Sequence, residues 1–213
     1  MILEASGVVL KSTPYSESSL ISRIYTYELG KISLFTRGAK KIKGSKAGML
    51  QPMNIIEFQM NFNESRDLQI LREVSIKQNL TNIRSNIQKM AVGLVMVEIL
   101  DKTTQAMDNS EILFRLIQKS LLTLDSQELN NLIILLFYKV QFAKYSGFNP
   151  IPEFCNHCSK TLNQAYYNPQ NGFLFCTNCI NMDGLKLPKI IFQMLKKLSV
   201  THIDELNLIE INS

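Results

Sequence analysis

Ile55-Ile-Glu-Phe-Gln-Met-Asn-Phe62 carries the clearest alternation in the chain. Ile56, Phe58, Met60 and Phe62 fall on one side of it, with Ile55, Glu57, Gln59 and Asn61 on the other. A period of two marks a strand with one buried face and one wetter face. Asn61 to Ser65 then carries turn residues. Arg66 to Ile76 resumes the alternation, with Leu68 and Ile70 set against Asp67 and Gln69.

Toward the N-terminus the grain is the same. Gly7 to Leu10 is a short apolar run before Pro14, and Leu20 to Tyr27 is rich in aromatic and β-branched residues. Glu28-Leu29-Gly30 reads as a turn, and Lys31 to Arg37 as another strand. About five strands in residues 1–78, with little helical pattern, predict a small closed β-barrel, and an OB-fold is the size match. A five-stranded barrel of another topology satisfies the same pattern.

The charge is unevenly spread. Of a net +5, residues 1–78 carry 11 Lys+Arg against 7 Asp+Glu, while residues 79–146 carry 7 against 6 and residues 147–213 carry 5 against 5. Lys31, Arg37, Lys40, Lys41, Lys43 and Lys46 lie between Leu29 and Ile56 with no carboxylate among them. Gly38, Gly44 and Gly48 are interspersed and let the backbone approach a phosphate chain closely. These six cations are the candidate nucleic-acid contacts, and the competing reading is a solvated loop that keeps the protein soluble. Tyr15, Tyr25, Tyr27 and Phe35 are candidate stacking residues, unless they are core.

From Leu80 the period changes. Leu80, Ile83, Ile87, Met90, Leu94 and Val97 predict one face of a long helix. Ser110 is placed to cap a second helix, with Leu113, Leu116, Ile117, Leu121 and Leu124 inward. Ser126 opens a third, apolar nearly all round from Leu132 to Phe142 and stopped by Gly147. After Pro150 and Pro152 come Cys155-Asn-His-Cys158 and Cys176-Thr-Asn-Cys179, which hold all four cysteines. Two CxxC turns supply a closed tetrahedral thiolate shell, so the reading is one structural Zn²⁺ per chain rather than a catalytic metal. An iron–sulfur cluster and two disulfides are the other readings. Pro188 suits the first turn of a helix with Ile191, Met194, Leu195 and Leu198 inward, and Thr201 can cap a last short one.

The fold class is therefore α+β and multidomain. It comprises an OB-fold β-barrel over residues 1–78, an α-helical domain over 79–150, an inserted four-cysteine zinc module over 151–184 and C-terminal helices over 185–213 that pack on the helical domain. No enzyme is legible: there is no phosphate-binding GxxxxGK[ST] loop and no nucleophile elbow. The two histidines are His157, inside a knuckle and read as facing solvent, and His202. Glu98 and Asp101, three apart on one helix, read as a solvated edge rather than a metal site. The N-terminus has no signal-peptide pattern and no apolar run reaches the ~20 residues of a membrane span, so the expected location is the cytoplasm.

The order as a whole resembles the RecO family of bacterial recombination mediators. The resemblance is carried by Gly7-Val-Val-Leu10, Tyr15-Ser-Glu17, Tyr25-Thr-Tyr-Glu28-Leu-Gly30 and Arg37-Gly-Ala-Lys40-Lys41. Gly147-Phe-Asn-Pro150, leading into the cysteines, completes it. It implies a non-catalytic, nucleoid-associated protein that binds single- and double-stranded DNA and anneals complementary strands. It further implies docking on the C-terminal tail of single-stranded DNA-binding protein and joining RecR to help load RecA. For that acidic tail, Arg115, Lys119, Lys139 and Lys144 of the helical tract are candidate rim cations. The alternative is an RNA-binding OB/zinc-ribbon protein of transcription or translation, told apart by tight binding of structured RNA without strand annealing.

Overall fold

Five strands, β1 (Ile2–Tyr15), β2 (Ser19–Thr26), β3 (Gly30–Thr36), β4 (Ile55–Asn61) and β5 (Leu68–Gln78), close into a barrel in the order β1-β2-β3-β5-β4. They belong to a computed structural model that describes residues 1–40, 46–126, 129–180 and 184–208. The chain divides into two compact units, Met1–Tyr138 and Lys139–Ser213.

The barrel is OB-like. Every ladder is antiparallel except the short one joining β3 to β5. β1 serves two neighbours, β4 along Ile2–Val8 and β2 along Gly7–Tyr15, and a register shift between Val9 and Lys11 lies along its pairing with β2. Ala5, Val9, Leu20, Ile24, Ile32, Leu34, Ile56, Phe58, Met60 and Leu71 fill the interior. The alternation at Ile56, Phe58 and Met60 thus points inward as its period requires. A short helix, α1 (Lys46–Met49), and Leu50 close one end, where Ser12 Oγ donates to the Leu50 carbonyl at 2.5 Å.

The start of β5 departs from the sequence reading. Leu68 and Ile70 face outward and Gln69, only 4% exposed, faces inward. Gln69 is held there by the turn before it: its Oε1 accepts from Asn63 N–H at 2.8 Å, and its Nε2 donates to the carbonyls of Asn63 and Arg66. An amide with all its groups bonded is cheap to bury, so closing the turn outweighs the apolar preference of its neighbours.

A helical bundle follows. The periodicity from Leu80 to Val97 belongs to two helices, α2 (Thr81–Ser85) and α3 (Ile87–Thr103), because Asn86 is extended and its side chain accepts from the N–H groups of Gln88 and Lys89. Ile87 is consequently exposed, and the buried face is Val92, Gly93, Met96, Val97 and Leu100 with Asp101. Gly93 sits where a Cβ would come within 2.5 Å of Met53 Sδ, which fixes how closely α3 approaches the turn before β4. α4 (Glu111–Ser126) starts as expected, with Ser110 Oγ accepting from Leu113 N–H at 3.4 Å. α5 (Asn131–Tyr145) begins at Asn131, not Ser126, which ends α4; the Asn130 side chain caps it by accepting from Leu132 N–H at 3.0 Å. Among the described residues no helix is long and apolar enough to cross a membrane.

In the second unit Gly147, at φ +85°, ends α5 in the left-handed region. Three two-residue strands, β6 (Tyr166–Tyr167), β7 (Leu174–Phe175) and β8 (Leu185–Lys186), form a sheet ordered β7-β6-β8. Pro188 immediately precedes α6 (Lys189–Val200) as its cap rather than lying inside it, and a 3₁₀ turn covers Ile203–Leu208. Phe192 and Leu198 are the buried residues of α6, whereas Ile191 is exposed. Phe192 packs with Cys155, Leu162, Ala165 and Leu174, and Gln141 Nε2 donates to the Leu198 carbonyl at 2.9 Å.

Candidate nucleic-acid interface and metal centre

The strand register builds a continuous outer face on the barrel. Thr13 opposes Ile21, Ile21 opposes Phe35 and Phe35 opposes Ile70, so one row of side chains crosses β1, β2, β3 and β5. Directly opposed residues share a face. Tyr15 meets Phe35 edge-on, with ring centroids 5.7 Å apart and planes at 88°. The next row is Lys11, Arg23, Ser33 and Leu68. There the face runs under α3: Arg23 reaches Asp101 at 2.5 Å, and Asp101 is 7% exposed. Of the four stacking candidates, Tyr25 is buried and Tyr27 packs edge-on against Phe114 at 5.6 Å. Tyr27 stays 37% exposed beside α4, whereas Tyr15, with the half-buried Phe35 against it, lies at the end of the face that α3 leaves open.

The cations of the basic segment separate by environment. Arg37 and Lys40 are exposed just past the end of β3, and Lys40 N–H donates to the Ser18 carbonyl at 3.0 Å, tying this segment to the β1–β2 turn. Lys46 Nζ donates to the Arg72 carbonyl. Lys31 is at the covered end, its Nζ donating to the Asp101 carbonyl at 2.6 Å and to the Thr104 carbonyl at the C-terminus of α3. Lys41 and Lys43 lie outside the described residues. In the helical tract, Arg115 pairs with Glu111 at 2.6 Å, Lys144 donates to the Ser199 carbonyl at 3.1 Å, and Lys139 is exposed. Glu98 pairs with Lys102 at 2.8 Å and Asp101 with Arg23, so each carboxylate already holds a cation.

The four cysteine sulfurs lie within 4.8 Å of one another. Each knuckle is a tight turn: Ser159 N–H donates to the Cys155 carbonyl at 3.0 Å, and Cys179 N–H to the Cys176 carbonyl at 3.1 Å. Cys176 N–H also points at Cys155 Sγ, 3.4 Å away, linking the knuckles. Cys158 and Cys176 Sγ are 3.7 Å apart. A tetrahedral metal with ~2.3 Å zinc–thiolate bonds has sulfur–sulfur edges of ~3.8 Å, so the donor set fits such an ion. Burial opposes ionisation of Cys155, but the N–H groups of Cys158, Cys176 and His157 hold its thiol down to about 6. Cys179 shares its proton with Cys158 first, and with burial and the other sulfurs this pushes it up to about 12. Four thiolates in one place need a cation to balance them. His157 is exposed, and among the described residues no other cluster of three or more His, Cys, Asp or Glu side chains converges.

The outward apolar row across β2, β3 and β5 has no separate sequence signal, because Ile21 and Ile70 look like ordinary strand apolars until the register is known.

Two family models match the chain: Recombination protein O N terminal over residues 1–80 and Recombination protein O C terminal over residues 84–213. Among curated relatives, the DNA repair protein RecO of Bacillus pumilus (strain SAFR-032) is 30% identical over 88% of this chain and 72% of its own length. That of Alkaliphilus metalliredigens (strain QYMF) is 22% identical over 100% of this chain and 87% of its own. That of Listeria innocua serovar 6a is 26% identical over 98% and 81%. Among solved structures, the S. pombe Stn1–Ten1 complex aligns at 13% identity and a TM-score of 0.30 over 48% of this chain and 78% of that chain, too low a likeness to bear on the fold.

Proposed function

The chain belongs to the RecO family of DNA repair proteins, and from that premise we propose that it is a non-catalytic recombination mediator that binds single- and double-stranded DNA and anneals complementary strands. The observation that carries this reading is the cationic segment beside the part of the outer face that α3 leaves uncovered, with Arg37 and Lys40 exposed and no carboxylate from Leu29 to Ile56. Arg37, Lys40, Lys41 and Lys43 contact phosphates there; Lys31 and Lys46 are left out because the carbonyls of α3 and of Arg72 already take their ammonium groups. Phosphate contacts give affinity without sequence preference, which suits a protein that must join any pair of strands. Cys155, Cys158, Cys176 and Cys179 hold one structural Zn²⁺ as thiolates; the ion leaves no site for water and serves to fold the second unit. Its partners are single-stranded DNA-binding protein, through that protein's C-terminal tail, and RecR, with RecA loaded as the outcome.

The test is annealing of complementary strands coated with single-stranded DNA-binding protein. The parent protein accelerates it. Changing Lys40, Lys41 and Lys43 to Glu lowers DNA affinity many-fold and abolishes that acceleration while the melting temperature stays put. If about four cations meet a single strand, the log–log salt slope of the parent is near −3 and flattens in the variant. A variant that binds like the parent at two salt concentrations would remove the segment as the site.

A further inference from the structure

We infer that the row Ile21, Phe35 and Ile70, with Tyr15 standing against it, is a stacking platform for unpaired bases and sets the preference of this barrel for single over double strands. The inference rests on the DNA-binding reading above and adds to it the part of the nucleic acid that is read.

The row is anomalous for a free surface. A barrel strand in water ordinarily puts polar residues outward, and here three of four consecutive cross-strand neighbours are apolar. β5 even directs Ile70, 40% exposed, to solvent while a glutamine goes inward. Tyr15 is 55% exposed although its ring is anchored edge-on by Phe35. Perpendicular rings leave the face of one open with the other as a side wall, which is the shape a flat base occupies. At strand spacing the row spans ~14 Å from β1 to β5, more than one base wide.

The surroundings suit one occupant. Arg37 and Lys40 flank the open end, and the bond from Lys40 N–H to Ser18 O holds their segment beside the turn that follows Tyr15. At the other end the face meets α3, where Asp101 takes Arg23 and the Asp101 carbonyl takes Lys31. A strand lying along the row therefore has phosphates at the Arg37 end and bases over Phe35 and Tyr15. Duplex DNA offers the same phosphates, but its bases are stacked on each other and present no free face. Only a single strand gains from the rings, at roughly five- to hundredfold in affinity per base stacked.

The test uses the full chain with Tyr15→Leu and Phe35→Leu together, which keeps the row apolar and the barrel folded, and fluorescent oligonucleotides in single- and double-stranded form. Single-strand affinity falls roughly five- to hundredfold. Duplex affinity and the salt slope on both forms are unchanged, since no charge is removed. Tyr15→Leu alone gives a smaller loss in the same direction, and an oligonucleotide carrying 2-aminopurine loses its stacking-dependent quenching. Equal losses on both forms, or no loss on either, overturn the platform and leave DNA binding by the parent intact. A parent that binds neither form overturns both readings.

Discussion

Gly30 and Lys31 join the barrel to the bundle. Gly30 has φ +67°, and a Cβ there would overlap the Asp108 carbonyl, so both conformation and space demand glycine. Lys31 follows with its backbone carbonyl accepting from Met107 N–H at 2.9 Å and its ammonium on the last carbonyls of α3. A cation at a helix C-terminus, partly buried and doubly bonded, contributes ~1–2 kcal/mol. Lys31→Met is therefore expected to lower the melting temperature by several degrees and leave the salt slope of DNA binding untouched. Thermal unfolding beside binding at two salt concentrations checks it; a slope shallower by one contact, with no thermal change, would return Lys31 to the DNA site. Gly30→Ala should cost more than Lys31→Met in the same melts, because both strain and overlap must be relieved.

At the scale of elements, β2 and α5 each bury a tyrosine. Tyr25 lies on the outward register of β2, yet it is fully covered, and its Oη donates to the Asp108 carbonyl at 3.2 Å. Burial chiefly, with the nearby Asp108 charge adding to it, pushes its phenol up to about 12. Tyr138 of α5, donating to the Met96 carbonyl at 3.2 Å, is also raised by burial. A phenol raised on folding holds its proton more tightly in the folded chain, so its contribution is complete below pH ~10 and is lost as pH rises toward 12. Stability in urea should therefore stay level from Tyr25 up to pH ~10 and fall between 10 and 12, with Tyr25→Phe making the fall shallower. Identical pH dependence in parent and variant would show that Tyr25 ionises as freely folded as unfolded.

For the whole molecule the consequential fact is that each unit has its own core. The barrel is filled by aliphatic and aromatic side chains, whereas the second unit centres on Cys155, Leu162, Ala165, Leu174 and Phe192, few residues around a sulfur cluster. A structural zinc contributes on the order of 10 kcal/mol to such a segment. Protein purified under reducing conditions should carry one zinc per chain, and Cys176→Ser should lose it. Hydrogen exchange then rises across β6, β7 and α6 while β1 to β5 stay protected. A metal-free parent, or a variant with unchanged exchange in β6 and β7, would count against a structural ion.

Features that depend on a few neighbouring residues were legible along the chain. The period at Ile56, Phe58 and Met60 fixed an inward face, Ser110 fixed the start of α4, Gly147 fixed the end of α5, and the paired CxxC spacing fixed which sulfurs converge. Apolar spacing alone ran α2 and α3 together, because the break at Asn86 is a capping choice and not a change of hydropathy. The rest came from contacts between distant parts of the chain. The phase of β5 came from Gln69 closing a turn, and the exposure of Tyr15 against the burial of Tyr25 came from what covers each outward face. Lys31 left the basic segment for carbonyls 70 and 73 residues away in sequence. Side-chain periodicity is a local property of the chain, but which side of a strand stays open depends on register and on elements packed from elsewhere, and neither is written within the strand itself.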